Sequence, residues 1–224
     1  MATDNHVANL ARDLIRIHKV ITRGLTSGLE HSRNFQRLGF PDAKTCGGFT
    51  DYLQALASVL EAHHLGEDEV AFPYFKDRLP DAPYERLAAD HQKIDGLIRP
   101  FREAVAKMDE NGGQSSSLAM VIDGLQNIHD LWAPHIQVEE QQFSETALAP
   151  VMSPEEQGQL SAALAKHSAD HAAPGYLVLP FVLYNQEPED RAAMASTMPD
   201  IVTGELIPKA WKDRWTPMTP FLLM

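Results

Sequence analysis

Apolar residues recur at steps of three and four along the first part of the chain. The positions that share this spacing are Val7, Leu10, Leu14, Ile17, Ile21 and Leu25. Because an α-helix turns once every 3.6 residues or so, side chains at these steps lie on one face. The pattern therefore predicts a first helix with a single buried side.

Three further stretches have the same repeat, and each predicts a long helix. The second helix starts near Phe49, the third runs from Tyr84 to Met108, and the fourth runs from Leu118 to Gln142. No stretch shows a persuasive alternation of apolar and polar residues, which would be typical of a half-buried strand. Four long helices with one apolar face each predict an all-α fold, an antiparallel four-helix bundle.

The segments between and after these helices lack the repeat. Residues 31–48 contain Gly and Pro, so we expect a long connection there, and we expect a serine of residues 111–117 to cap the fourth helix. A fifth helix should begin at Ser153, where a capping box is combined with proline at the next position. After Pro174 the apolar pieces are short, which predicts brief helices and turns.

The chain is thus expected to have two parts. Residues 1–150 would form the bundle, and residues 151–224 would form a C-terminal helix and tail. We expect the tail to pack on the bundle or to lie at an oligomer interface, which leaves a homo-oligomer formed through the tail as an open alternative.

Charge and composition exclude several classes of partner. The formal net charge of −12 would repel a phosphate backbone, so we expect no nucleic-acid partner. The longest late apolar stretch, residues 176–184, contains a proline and is too short to span a bilayer, so we expect no membrane insertion. The single cysteine, Cys46, cannot form an internal disulfide, which fits a reducing compartment and a cytoplasmic location.

Histidines and glutamates occupy core positions of the predicted helices. On the second helix His63 and Glu67 follow the leucine row at helical spacing, and His135 and Glu139 repeat the same His-x-x-x-Glu pair on the fourth. The first helix contributes His18 and the third contributes His91, each on its apolar row. Each of the four helices therefore directs an imidazole inward, and two of them also direct a carboxylate inward.

Burying these six groups without partners would be costly, since each unpaired buried polar group costs about 1–3 kcal/mol. A single inward histidine is more often a hydrogen-bonded core residue than a metal ligand. Six such groups on four consecutive helices favour a shared site instead. Two cations that share two bridging carboxylates, with imidazoles as terminal ligands, would satisfy all six groups.

The chain resembles hemerythrin-like proteins of the HHE cation-binding group. The resemblance rests on His18, HHLGEDEVAFP at residues 63–73, DHQKI at residues 90–94 and HIQVEE at residues 135–140, and it covers about residues 6–147. It implies a four-helix bundle around a non-haem di-iron centre with an oxo or hydroxo bridge. It also implies that the iron ligands are His18, His63, His91 and His135, with Glu67 and Glu139 as bridging carboxylates.

One position departs from the pattern of oxygen-carrying hemerythrins. These proteins have a second histidine four residues after that of the third helix, and this chain has Asp95 there. Three alternatives stay open: Asp95 is a ligand, His64 replaces the missing histidine, or one iron keeps an open position. Glu140 could also take the place of Glu139.

The resemblance and this departure together suggest a function. An open position would let iron bind O2, peroxide or nitric oxide directly, and a carboxylate in place of an imidazole would favour the ferric state. We therefore expect a di-iron sensor, scavenger or oxidase for these molecules rather than a simple oxygen store. The alternatives are an iron-binding, iron-sensing or storage protein without redox turnover, and a metal-free helical interaction module.

The remaining histidines carry weaker patterns. His167 and His171 form an i, i+4 pair on the predicted fifth helix, and we favour a polar seam for them over metal ligation. His6, His31 and His129 have no partner pattern and receive no role.

Overall fold

Four long helices form the body of the structure, a computed structural model that describes residues 9–224. Helix α1 spans Leu10–Leu38, and α2 spans Ala43–Gly66 and continues through a π-helical turn, Glu67–Ala71, into α3, Phe72–Lys76. Helix α4 spans Tyr84–Glu110 and α5 spans Ser115–Gln142. Short connections make consecutive long helices antiparallel. No strand occurs among the described residues, so the all-α bundle that the repeats predict is confirmed.

The apolar rows of the four long helices form two separate clusters. The larger cluster contains Leu25, Leu53, Ile98 and Leu125, one from each helix. The smaller cluster lies at the other end of the bundle and contains Leu14, Phe72, Leu87 and Phe143, with Leu160 from a later helix. Full burial of each such side chain stabilises the fold by about 1.5–3 kcal/mol relative to exposure. The two clusters therefore fix the positions of the four long helices relative to one another.

The expected long connection over residues 31–48 is wrong, because most of it is helical. Helix α1 continues to Leu38 and ends at Gly39, whose φ of 77° suits glycine, and the Asp42 side chain accepts the Thr45 N–H at the start of α2. Aromatic packing explains the extra turns, since the Phe35 ring lies 4.1 Å from Phe40 and 5.4 Å from Phe49.

Two smaller expectations about helix starts have different outcomes. The serine cap expected for the fourth helix is wrong, because Gln114 precedes α5 and no side chain caps its first turn. The capping box at Ser153 is confirmed, since its side chain accepts the Glu156 N–H while Glu156 accepts the Ser153 N–H. Val7 and His6 lie outside the described residues.

One helix of 18 residues, α7, and several shorter helices follow the bundle. They are α6 at Glu145–Leu148, α7 at Pro154–His171, α8 at Gly175–Tyr184, α9 at Pro188–Thr197, a π-helical stretch at Val202–Ala210, α10 at Lys212–Trp215 and a 3-10 helix at Thr216–Phe221. Helix α7 is the predicted fifth helix, and the rest matches the brief helices and turns expected after Pro174.

The segment after α7 packs against the bundle of its own chain. Phe181, Trp215 and Phe221 belong to the larger apolar cluster. The 3-10 helix lies so close to α2 that a Cβ at Gly48 would stand 2.1 Å from the Pro217 carbonyl oxygen. Within residues 9–224, no helix has both the length and the apolar character that crossing a membrane requires.

Candidate metal centre

A layer of histidines and glutamates separates the two apolar clusters. On α1, His18 lies between Leu14 of the smaller cluster and Ile21 of the larger one. On α4, His91 lies in the same way between Leu87 and Ile94. The other members of the layer are His63 and His64 on α2, Glu67 at the start of the π-helical turn, and His135 and Glu139 on α5. All of these side chains are buried.

The six side chains that the sequence pattern grouped lie together and form two overlapping sets. The first set is His18, His63, Glu67 and Glu139, and the second is Glu67, His91, His135 and Glu139. Within each set, one potential ligand atom per residue lies within 4.8 Å of all the others. Glu67 and Glu139 belong to both sets, which is the arrangement that two cations with two shared carboxylates would need.

Several polar atoms in this layer have no hydrogen-bond partner among the described residues. They are Nε2 of His18, His63 and His64, Oε2 of Glu67 and both carboxylate oxygens of Glu139. His63 Nε2 and Glu67 Oε2 are 3.4 Å apart, as are His18 Nε2 and Glu139 Oε2, yet neither pair has hydrogen-bond geometry. Metal ions would satisfy these atoms, so the residues present fit a two-cation centre.

Carboxylates outside the layer hold three of the imidazoles in place. Glu140 Oε1 is 3.0 Å from Nδ1 of His18, Asp68 Oδ1 is 2.9 Å from Nδ1 of His91, and Asp95 Oδ1 is 2.9 Å from Nδ1 of His64. A ring whose Nδ1 donates to a carboxylate presents Nε2 as the free ligand atom. These contacts thus orient Nε2 of the histidines toward the centre.

The alternatives left open by the sequence can be compared with this arrangement. His64 is buried and forms a third set with His91 and His135, whose ligand atoms also lie within 4.8 Å of one another. Asp95 and Glu140 are partly exposed and lie behind His64 and His18. The geometry therefore favours His64 as the additional ligand, with Asp95 and Glu140 as positioning residues.

The π-helical turn is the local feature that builds the α2 side of the site. Its closing bond runs from the Phe72 N–H to the Glu67 carbonyl, which places one more residue in the turn than an α-helix has. The widened turn lets Glu67 face the centre while the next residue, Asp68, reaches His91. Sequence reasoning missed Asp68, and the acidic run Glu67-Asp68-Glu69 was its only signal.

Burial and the neighbouring carboxylates separate the histidines into two groups. Burial lowers the pKa of His18 and His91, but their carboxylate partners outweigh it and raise these pKa values to about 9 and about 11. Burial dominates elsewhere and lowers the pKa of His135 to about 4 and that of His63 well below its usual value. The protons on His18 and His91 therefore compensate the carboxylates, and a bound cation would displace these protons.

The carboxylates themselves respond in opposite directions. Burial and the charge of Glu139 raise the pKa of Glu67 to about 7. Burial also acts on Glu139, but the nearby imidazoles of His18 and His91 outweigh it and lower the pKa of this carboxyl well below its usual value. Glu139 is therefore ionised at neutral pH, and a second negative charge on Glu67 needs an added cation.

Aromatic rings close the layer on both sides. The Trp132 ring lies 5.6 Å from the rings of His18 and His63, and its Nε1 donates to Thr22 Oγ1 at 2.9 Å. On the other side, the Phe72 ring stacks on His91 at 5.5 Å. These rings pack against the imidazoles from both apolar clusters and limit their movement.

The histidine pair of the fifth helix lies outside this layer. His167 Nε2 is 3.0 Å from Glu69 Oε2 at the π-helical turn, and the rings of His167 and His171 stack at 4.1 Å. These contacts form a polar seam between α7 and the turn, as the sequence pattern favoured.

Comparison with known families agrees with this geometry. A model described as Hemerythrin HHE cation binding domain matches residues 9–147, well over half of the chain. The chain belongs to this hemerythrin family. The matched range contains the four long helices and every residue of the two ligand sets. No curated protein and no solved structure matches the chain.

Proposed function

We propose that this hemerythrin-family chain is a non-haem di-iron protein that binds or reacts with O2, peroxide or nitric oxide. The observation that carries the proposal is the pair of overlapping ligand sets that share Glu67 and Glu139. In this assignment His18 and His63 would hold one ion, and His91, His135 and His64 would hold the other. Both ions would share Glu67 and Glu139.

The chemistry of the ligand atoms supports iron. Imidazole nitrogens and carboxylate oxygens suit iron in bundle cores, and the one cysteine, Cys46, lies elsewhere on α2. Structural zinc is usually bound by four ligands in a closed tetrahedral site, whereas the two four-residue sets here share both of their carboxylates. Such a centre supplies electrons and coordination positions for small oxidants when iron is bound.

The side chains make the two halves of the centre unequal. The half with His64 has three imidazoles, while the half with His18 and His63 has two. His18 and Glu140 also line a cavity that opens to solvent, so a small molecule reaches the less crowded half more easily. Glu140 holds the Nδ1 proton of His18 and keeps Nε2 directed inward. We place this chemistry in the cytoplasm, since one cysteine fits a reducing compartment.

The test begins with Fe(II)-loaded protein under anaerobic conditions, exposed separately to O2, peroxide and nitric oxide. We expect at least one of these to produce near-ultraviolet absorption, with consumption of the added molecule. His63→Ala combined with Glu67→Ala should abolish the response. His129→Ala is the matched control, because His129 lies outside both ligand sets.

Three outcomes would argue against a reactive di-iron centre. Fe(II) binding without a reaction toward any of the three molecules would favour iron sensing or storage. A colourless protein that holds only zinc would contradict the di-iron proposal, and unchanged stability of the double variant with no metal bound would favour an interaction module.

A further inference from the structure

A solvent-open cavity of about 530 Å³ runs along α1 beside the proposed centre. Its α1 wall extends from His18 to His31, which is roughly 20 Å of helix. This volume lies within the range of about 300–1,000 Å³ that is common for small-molecule sites. The cavity is therefore large enough for an organic ligand as well as for O2, peroxide or nitric oxide.

One cation in the cavity wall has no ion-pair partner among residues 9–224. Lys19 pairs with Asp190 at 3.0 Å, and Glu140 contacts His18, so both of these charges are compensated. Arg23 forms no ion pair with any carboxylate of residues 9–224, and its Nε is buried without a hydrogen-bond partner. A buried N–H donor without an acceptor is costly, and an anion bound in the cavity would satisfy the Nε–H of Arg23.

The other charged groups of the cavity favour a single negative charge on the ligand. Burial lowers the pKa of His31, so this imidazole adds no positive charge at neutral pH. Glu30 lies at the exposed rim and would repel an excess of negative charge. A monoanion balances Arg23, whereas a phosphate dianion would leave one charge uncompensated beside Glu30.

The lining that other segments contribute is mostly apolar, apart from Glu140 of α5. Ile136 of α5 and Pro220, Phe221 and Leu222 of the final segment supply it. Ser27 donates to the Phe221 carbonyl at 3.4 Å, which ties this segment to α1. A ligand that fills the cavity therefore needs a hydrocarbon part as well as its charged group.

We propose that this cavity binds an organic monocarboxylate with a hydrocarbon chain, whose carboxylate pairs with Arg23. The guanidinium can hold a carboxylate through two parallel hydrogen bonds. Because His18 lines the same cavity, the bound molecule lies next to the proposed iron centre. Its role as a substrate or regulator of that centre rests on the proposed function, whereas its binding does not.

The test is calorimetric titration of sodium octanoate into the full chain, both metal-free and iron-loaded. We expect saturable binding of one octanoate per chain, weakened tenfold or more in Arg23→Gln and less in Arg23→Lys. Uncharged octanol and inorganic phosphate should bind at least tenfold more weakly than octanoate. Arg37→Gln is the matched control, because it removes the same charge from an exposed position of α1.

Glu30→Gln provides a second variant that does not depend on how Arg23→Gln folds. Removing the rim carboxylate should tighten octanoate binding, because less repulsion remains. Equal affinity in wild type, Arg23→Gln and Glu30→Gln would overturn the inference, as would absence of octanoate binding. Iron uptake without octanoate binding refutes the inference alone, whereas octanoate binding without iron uptake refutes the proposed function alone.

Discussion

Glu67 and Glu139 are the side chains on which the site depends most. Each belongs to both ligand sets, and both are buried among histidines. Two carboxylates this close repel each other strongly where the dielectric is low. In the protein without metal, protons on His18 and His91 supply the compensating positive charge.

Replacing Glu67 by glutamine tests this dependence. Glu67→Gln should reduce bound metal by at least one ion per chain, because a neutral amide is a poor bridging ligand. The same change should raise the thermal midpoint of the metal-free protein, since it removes the repulsion with Glu139. Metal analysis after dialysis and a melting curve measure the two effects.

The matched control is Glu69→Gln, which lies in the same turn but is exposed. It should keep the metal content of the wild type. Full metal content in Glu67→Gln would contradict a bridging role.

Asp51 on α2 provides a pH-dependent prediction away from the centre. Burial and the charge of Asp109 raise its pKa to about 6, although Arg214 opposes this. The folded state therefore binds a proton more tightly than the unfolded state, and this term lowers stability as pH rises from about 4 to about 6. Asp51→Asn should raise the thermal midpoint at pH 7 and have no effect below about pH 4. An equal effect of Asp51→Asn at both pH values would refute the raised pKa of Asp51.

Part of the site could be predicted residue by residue, and part could not. The six side chains grouped from helical spacing do lie together, because the 3.6-residue repeat fixes which groups share a face. His64 is adjacent to His63 and hence about 100° away on the helix. Helical spacing alone therefore did not predict that His64 faces the same site. Asp68 was missed because its direction depends on a π-helical turn that no apolar repeat records.

At the scale of helices and turns, the structure depends on how closely α2 and the 3-10 helix approach each other. Phe221 of that 3-10 helix packs 4.9 Å from Phe49 at the start of α2. The prediction of a long connection over residues 31–48 was wrong because of similar contacts. Aromatic contacts between distant segments hold those residues helical, and a local period cannot reveal such contacts.

Gly48→Ala tests the close approach. The added methyl would lie 2.1 Å from the Pro217 carbonyl oxygen, so the backbone must shift, and we expect a loss of about 1–3 kcal/mol in the free energy of unfolding. Gly47→Ala is a control on the same helix, because a Cβ there meets nothing within 4 Å. It should be neutral or stabilising by up to about 1 kcal/mol. Denaturant melts give both values, and equal losses would contradict the packing.

On the scale of the whole molecule, the bundle consists of two apolar clusters with a polar layer between them. A purely apolar bundle would gain nothing from a cation. Here the layer joins all four long helices, so any ion held by it cross-links the fold. Because the sets combine groups from distant parts of the chain, a metal ion held there would bind the native state far better than the unfolded state.

Metal loading should therefore raise thermal stability. At a free metal concentration one hundred times Kd, one site adds about 2.7 kcal/mol. For a chain of this length we expect the thermal midpoint to rise by roughly 5–10 °C, with reversal by chelator. Calorimetry with and without chelator measures the shift, and a midpoint that is insensitive to metal would contradict a cross-linking centre.

The proposed centre requires two metal ions that share Glu67 and Glu139. The most direct measurement is an anaerobic Fe(II) titration of the metal-free protein, with bound iron counted per chain after equilibrium dialysis. We predict two iron ions per chain in the wild type, and fewer in both Glu67→Gln and Glu139→Gln. One ion or none in the wild type, or two ions that persist in both variants, would contradict the account.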